Sequence, residues 1–192
     1  MTNARVEAFS DGVMAVIITI MVLDLKAPSG ASLDALSPLA PAFLAYVLSF
    51  VYVGIYWANH HHLMHTVHHV TGGLMWANLH LLFWLSLFPF LTSWVGEHPS
   101  ATWPAALSGV ALLAAALAWL VLQRAIIAAG GTLGQAIGSD LKGKLSPVLY
   151  VTGIGLAFVR PWASELAYAV VAAMWIVPDR RIEAQVRESD AD

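Results

Sequence analysis

The stretch Arg5-Val-Glu-Ala-Phe-Ser-Asp-Gly-Val-Met-Ala-Val-Ile-Ile-Thr-Ile-Met-Val-Leu23 decides how this chain is interpreted. It carries Glu7, Ser10 and Asp11 near its start and is then almost wholly aliphatic. The apolar core of a cleaved signal peptide normally lacks such groups, so the stretch predicts a retained membrane helix. An ionised aspartate at a helix centre costs about 2.5–3.5 kcal/mol on insertion scales, and a position near the helix end lowers that cost. Asp11 therefore needs polar partners or water.

Helical geometry divides this stretch into two faces. At about 100° per residue, one narrow aliphatic stripe forms, with Gly12 and Thr19 beside it. The stripe consists of Phe9, Val16, Ile20 and Leu23. Asp11 lies about 140° away from Val16. Ordinary helix packing is the commonest use of such a stripe, and the face with Ser10 and Asp11 predicts a hydrogen-bonded anchor between helices. Side chains with donors for this anchor are Arg5, Trp57, Asn59, His60, Asn78 and His80.

Composition places the whole chain in a membrane. Of its 192 residues, 59% are hydrophobic and 11% are charged, whereas a soluble domain is about 25% charged. Nine Lys and Arg against twelve Asp and Glu leave a net charge of −3, which argues against a nucleic-acid partner. The absence of cysteine excludes disulfides, thiolate metal sites and cysteine nucleophiles.

Six segments have the apolar character of membrane helices, which need about 20 such residues. They are Val6–Leu25, Leu39–His62, Leu74–Val95, Trp103–Ala128, Leu145–Val159 and Trp162–Val177. The predicted fold is an all-α, polytopic membrane protein with six transmembrane helices per chain. The fifth segment is short, so a hairpin of segments five and six that crosses only partly is the alternative.

Prolines and charges add detail to this layout. Pro89 lies inside the third segment and predicts a kink, whereas Pro104, Pro147 and Pro161 are predicted near helix starts. Residues 1–178 are predicted to form the transmembrane domain, followed by a short charged cytoplasmic tail at 179–192. Within the domain, residues 130–144 are predicted to form a polar cytoplasmic loop. One side of the membrane receives Arg5, Arg124, Lys142, Lys144, Arg180, Arg181 and Arg187, and the other Lys26 and Arg160. This bias predicts a multi-pass protein of the cell membrane with both termini cytoplasmic.

The motif Arg5-x-x-x-Phe9-Ser10-Asp11 resembles the signature of the transmembrane-protein-175 family, which are endosomal and lysosomal potassium channels with bacterial homologues. Further matches are Trp57-x-x-His60 in the second segment and Asn78 with Pro89-Phe90 in the third. The resemblance covers the first three segments, and segments four to six match only in number and hydropathy.

The resemblance implies a homotetramer around a central pore that is lined by the first helix. It implies a potassium-preferring cation channel whose hydrophobic constriction consists of aliphatic rings. Counted from Asp11, the ion pathway falls on Val16, Thr19, Ile20 and Leu23. The implied structural polar network consists of Arg5, Phe9, Ser10, Asp11, Trp57, His60 and Asn78. Val16 departs from the larger Ile or Leu that is usual in the family, which would weaken selectivity or move the tightest point to Ile20 or Leu23.

The predicted partners are potassium ions, the lipid bilayer and further copies of the chain; no enzyme activity, cofactor or metal is predicted. Two alternatives rest on the histidines His60, His61, His62, His65, His68 and His69. One is an ion or metal transporter with a cytoplasmic histidine cluster. The other is a histidine-box di-iron membrane enzyme, which the lack of Asp or Glu between Asp34 and Glu97 disfavours.

Smaller signals remain open at this point. His61 and His65 lie four residues apart and could share a Zn²⁺ ion on one helix face, although a polar cap that titrates between about pH 5 and 8 is the simpler interpretation. The run Val151-Thr-Gly-Ile-Gly155 superficially resembles the Thr-Val-Gly-Tyr-Gly potassium filter. It lacks a residue after Thr152, and close helix packing through small residues is favoured.

Overall fold

A computed structural model of the chain describes residues 2–131 and 141–176, and these residues form seven α-helices. The helices are α1 (Asn3–Leu23), α2 (Ala40–His65), α3 (Gly72–Ser86), α4 (Phe88–Glu97), α5 (Thr102–Ala128), α6 (Leu141–Ala157) and α7 (Pro161–Ile176). A short 3-10 helix, Leu33–Leu39, leads into α2. The described residues contain no strand, which confirms the all-α class.

The third predicted segment is broken at Leu87, which ends α3 and begins α4. Pro89 lies in the first turn of α4, where its missing N–H does least harm, and its ring prevents α3 from continuing. The predicted kink is therefore confirmed. At the other end, Thr71 caps α3 by accepting a hydrogen bond from the Leu74 N–H at 3.2 Å.

Within the described residues, four stretches are long and apolar enough to cross a membrane. They are Asn3–Leu23, Leu33–His65, Gly72–Glu97 and Thr102–Ala128. Helices α6 and α7 have 17 and 16 residues, which corresponds to a rise of about 24–26 Å, less than the hydrocarbon thickness of about 30 Å. Residues 132–140 and 177–192, which adjoin these two helices, lie outside the described residues, so six full crossings stay a prediction.

The start of α6 corrects two expectations. The helix begins at Leu141 rather than Leu145, so Lys142 and Lys144 belong to it and not to the preceding loop. Pro147, predicted near a helix start, lies inside α6, where it removes one main-chain hydrogen bond. The remainder of the predicted loop, from 132 to 140, and the charged tail at 179–192 lie outside the described residues.

Two groups of helices pack around one apolar core. Helix α1 lies against α2, α3 and α4, while α5 packs on α3 and α6, and α6 on α7. Tyr168 of α7 joins the groups: its main-chain carbonyl accepts a hydrogen bond from the Tyr52 hydroxyl at 2.6 Å, and its own hydroxyl donates to the Ala105 carbonyl at 3.1 Å. Through these two hydrogen bonds, α7 connects α5 to α2, which packs against α1.

Glycines make room for this tyrosine. A methyl group at Gly109 or Gly153 would collide with the Tyr168 side chain, so neither position has space for alanine. Gly153 belongs to the filter-like run, which lies entirely within α6. The run is therefore a helical packing surface, as the small residues indicated, and not a loop that presents carbonyl groups to an ion.

Candidate pore-lining helix

Helix α1 has one buried and one exposed face. The buried side chains recur at helical spacing against α2, α3 and α4. They are Val6, Ser10, Met14, Ile17 and Met21. The four side chains predicted to line the ion pathway lie outside this face: Val16 is 54% exposed, Ile20 44% and Leu23 81%, and Thr19 is also exposed. A single chain therefore leaves this apolar stripe uncovered.

The one hydroxyl on the exposed stripe has its proton committed. Thr19 Oγ1 donates a hydrogen bond to the main-chain carbonyl of Val16 at 2.9 Å. Because a hydroxyl has one donor and two acceptor lone pairs, the Thr19 oxygen keeps its acceptor capacity on the exposed side. Phe9, about two turns before Val16, is 55% exposed. The stripe thus combines apolar side chains with a single oxygen able to face a cation.

The buried face of α1 is fastened by a chain of hydrogen bonds. Asn78 of α3 donates from Nδ2 to Ser10 Oγ at 2.9 Å, and its Oδ1 lies 2.8 Å from Nε2 of His60 on α2. Ser10 Oγ in turn donates to the Val6 carbonyl at 2.9 Å. All three side chains are at most 2% exposed. An amide oxygen only accepts, so Nε2 of His60 carries the proton. This chain joins α1, α2 and α3.

Among the described residues, the other members of the predicted polar network form no hydrogen bond with Ser10, His60 or Asn78. Phe9 and Trp57 are about half exposed, and Arg5 is exposed at the start of α1. Arg5 and Phe9 nevertheless line the same cavity as Asn78, with a volume of ≈250 Å³. The structure therefore brings Ser10, His60 and Asn78 into direct contact and leaves the other predicted members around them.

Asp11 does not use the donors expected for it. One of its carboxylate oxygens, Oδ1, is buried without a hydrogen-bond partner among the described residues. His60 and Asn78 bond one another and Ser10, as described above. Asn59 donates to the carbonyl of Ile55 in its own helix at 2.8 Å. Of the two polar residues in the motif, Ser10 is therefore the one that is hydrogen-bonded to a neighbouring helix, and Oδ1 of Asp11 keeps unused acceptor capacity.

Two contacts at the ends of α1 were not anticipated from the sequence. Near its beginning, Glu7 Oε1 lies 2.6 Å from Nδ1 of His61 on α2. Beyond its end, Lys26 Nζ forms an exposed ion pair with Glu97 Oε1 at 2.6 Å, and this hydrogen bond and charge raise the pKa of Lys26. Both pairs join residues more than 50 positions apart, and no local sequence pattern indicated either pairing.

The chain is similar in sequence to one known protein family and to several of its members. The family model described as endosomal/lysosomal potassium channel TMEM175 matches residues 5–89. A protein of Chryseobacterium sp. (strain P1-3), named as a potassium channel, is 50% identical over 98% of this chain and 100% of its own length. A potassium channel of Streptomyces collinus is 32% identical, with 88% of this chain and 89% of that protein covered.

A solved structure has the same arrangement of helices. The crystal structure of a lysosomal potassium-selective channel TMEM175 homolog from Chamaesiphon minutus matches with a TM-score of 0.80 at 28% identity. The match covers 91% of this chain and 96% of that one. It therefore extends well beyond residues 5–89 and includes the region where the sequence motifs gave no guidance.

Proposed function

We propose a conduction mechanism from the premise that this chain belongs to the TMEM175 family of endosomal/lysosomal potassium channels. The chain is a potassium channel of the membrane, and its relatives are channels rather than enzymes. The di-iron enzyme and the metal transporter are accordingly set aside. What remains to be proposed is the path of the ion, the number of copies that form it and the residues that select it.

In this proposal four copies surround a central axis, with α1 of each lining the path. The observation that carries it is the exposure of the α1 stripe: α2, α3 and α4 cover one face of α1 and leave Val16, Ile20 and Leu23 uncovered. A closed ring of identical subunits places the same stripe from each copy on its axis. The apolar face then borders the pore instead of lipid.

Within the ring, Val16, Ile20 and Leu23 form successive aliphatic constrictions. Apolar constrictions gate by dewetting, because a narrow apolar passage holds water poorly. The Thr19 layer lies between two of these rings and supplies one hydroxyl oxygen per subunit. Because each hydroxyl donates its proton to the Val16 carbonyl, the oxygen presents its lone pairs to the ion. These oxygens replace part of the water lost by an ion that enters the constriction.

The polar network holds this pore helix in position. Ser10 is tied to α3 and α2 through Asn78 and His60, so the orientation of the α1 stripe depends on those hydrogen bonds. Arg5, Phe9 and Trp57 surround the same end of the helix in the proposed assembly. Asp11, whose Oδ1 has no partner in the described part of its own chain, then accepts hydrogen bonds from a neighbouring copy.

The proposed topology has six crossings in residues 1–178 and both termini in the cytoplasm. The positive-inside bias of the lysines and arginines supports this orientation. The described residues of α6 and α7 rise less than the thickness of the hydrocarbon core, and local thinning of the bilayer would accommodate crossings of this length.

The reversal potential of the purified protein under bi-ionic potassium and sodium conditions tests the proposed selectivity filter. Ile20→Ala and Leu23→Ala are expected to widen the constriction and raise sodium permeation. Val22→Ala is the matched control, since Val22 has the same 44% exposure as Ile20 but lies off the stripe. Reversal potentials unchanged in both stripe variants would remove these rings from the filter.

A further inference from the structure

The contact between the start of α1 and the end of α2 has the makings of a metal site. Glu7 of α1, His61 and His65 of α2 each offer one ligand atom, and these atoms all lie within 4.8 Å of one another. The two histidines are four residues apart and therefore share one face of α2. His61 is exposed and the side chain of Glu7 keeps 19% of its accessibility, so a cation can reach the cluster from water.

The spacing of the two imidazoles fits a transition metal. His61 Nε2 and His65 Nε2 lie 3.2 Å apart. Two nitrogen ligands at about 2.0–2.1 Å from a tetrahedral Zn²⁺ are separated by about 3.3–3.4 Å. The helix thus holds the nitrogens near the distance that a shared metal requires.

Glu7 fixes the orientation of one ligand. Its carboxylate accepts a hydrogen bond from Nδ1 of His61 at 2.6 Å. The proton of the neutral ring is therefore on Nδ1, and Nε2, on the side of His65, has a lone pair available for a metal ion. Histidine ligands of zinc commonly donate their second N–H to a carboxylate, which sets the tautomer and raises the basicity of the ligand. The negative charge of Glu7 also favours a bound cation over an empty pair of histidines.

We propose that His61 and His65 bind one divalent transition-metal ion of the Zn²⁺ class, with Glu7 as the orienting carboxylate and water completing the coordination. This site differs from the sequence prediction of no metal. Because Glu7 belongs to α1, the loaded site joins the first turns of the proposed pore helix to the end of α2. The Asn3 side chain reinforces the same junction by donating to the Met64 carbonyl at 2.7 Å.

Zn²⁺ titration of the purified full-length protein in nanodiscs, followed by isothermal calorimetry, tests the site without measuring ion conduction. We expect one Zn²⁺ per chain. His61→Gln and His65→Gln should each weaken the affinity at least tenfold, and Glu7→Gln by about tenfold, the lower end of the effect of losing an orienting carboxylate. The matched control is His68→Gln: His68 is an exposed histidine in the connection between α2 and α3 and lies outside the group, so this variant should stay within twofold of the unmodified chain.

Three results would overturn the proposal. One is the absence of Zn²⁺ binding by the unmodified chain, and another is an affinity that His61→Gln and His65→Gln leave unchanged. The third is an equal loss in His68→Gln, which would indicate diffuse binding by histidines. Circular dichroism and gel filtration of each variant verify that the fold persists, which is expected because His61 and His65 are exposed.

Discussion

The two faces of α1 are both largely apolar, yet they differ in what touches them. The buried face, centred on Ser10, Met14 and Ile17, is enclosed by helices of its own chain and contains a hydrogen-bonded anchor. On the exposed face, Val16 and Leu23 are left uncovered by the described residues of the chain. Apolar character alone thus does not distinguish the two faces, whereas coverage by neighbouring helices does, and we assign the uncovered face to the ion path in the proposed tetramer.

The comparison also separates two kinds of polar group. On the buried face, the hydroxyl of Ser10 both donates and accepts, so its hydrogen bonding is used for structure. On the exposed face, Thr19 donates to its own helix and keeps its acceptor lone pairs. Substitutions on the first face should therefore affect stability or assembly, and substitutions on the second should affect conduction.

The largest effect is expected from Asn78→Leu, which removes the centre of the anchor. It leaves Ser10 Oγ and His60 Nε2 buried without this partner, and each such loss costs about 1–3 kcal/mol. Thermal unfolding in detergent should show a clearly lower midpoint. The matched control is Asn59→Leu, because Asn59 donates to the Ile55 carbonyl of its own helix and forms no hydrogen bond to another helix among the described residues. An equal decrease of the unfolding midpoint in the two variants would mean that the hydrogen bonds linking the three helices contribute no more to stability than one within a single helix.

Asp11→Ala should reduce assembly more than selectivity. The proposal gives the unpartnered Oδ1 a donor in a neighbouring copy, so loss of the carboxylate weakens the contact between copies. Light scattering coupled to gel filtration should show a smaller tetramer fraction, and Asp11→Asn, which keeps the side-chain size and one oxygen, should lose less. A normal tetramer yield combined with altered ion preference would place Asp11 in the conduction path instead.

Thr19→Val should shift the reversal potential towards that of a non-selective pore while leaving the unfolding midpoint nearly unchanged. Valine keeps the shape of threonine and removes the hydroxyl that the proposed layer presents to the ion. Thr152→Val is a matched control: Thr152 is also exposed and also donates to its own helix, to the Val148 carbonyl at 2.8 Å, but it lies on α6. The idea fails if both variants keep the original selectivity.

The smallest effect is expected at the ion pair beyond the end of α1. Lys26 and Glu97 are exposed, so solvent screens their attraction, and Lys26→Gln should barely change the unfolding midpoint at neutral pH. The raised pKa of Lys26 gives the pair a direction with pH: its contribution is present at neutral pH and is lost as the pH rises through the folded-state pKa, above the ordinary lysine value of 10.5. The small difference between the midpoints of the two proteins should therefore persist from pH 8 to about 10 and shrink only above pH 10.5, and a difference that grows with pH would contradict the assignment.

Local signals in the sequence predicted much of the fold. The 3.6-residue period separated the two faces of α1, and Pro89 predicted the break between α3 and α4, because both depend on residues that are close in the chain. Pro147 misled, since packing of α6 against α5 and α7 sustains a helix through a proline that local rules place at its start.

Long-range pairing was harder to predict. The donors near Ser10 and Asp11 were identified as a group, yet only the folded chain shows that Asn78 bonds Ser10 and that Oδ1 of Asp11 has no partner among the described residues. The pairing of Glu7 with His61 depends on where α1 meets α2, which no local pattern encodes. The spacing of His61 and His65 was visible, but the carboxylate that completes the group was not.

The central claim is that the exposed stripe of α1 lines the ion path, and the absence of cysteine from the chain makes it directly testable. Single variants Ile20→Cys, Leu23→Cys and Val22→Cys can be treated with a charged thiol reagent while potassium current is recorded in planar bilayers. Modification at Ile20→Cys and Leu23→Cys should abolish most of the current. Val22→Cys should keep its current after modification, although Val22 and Ile20 are equally exposed. Equal inhibition at positions 20 and 22, or current that persists at both stripe positions after confirmed labelling, would contradict the account.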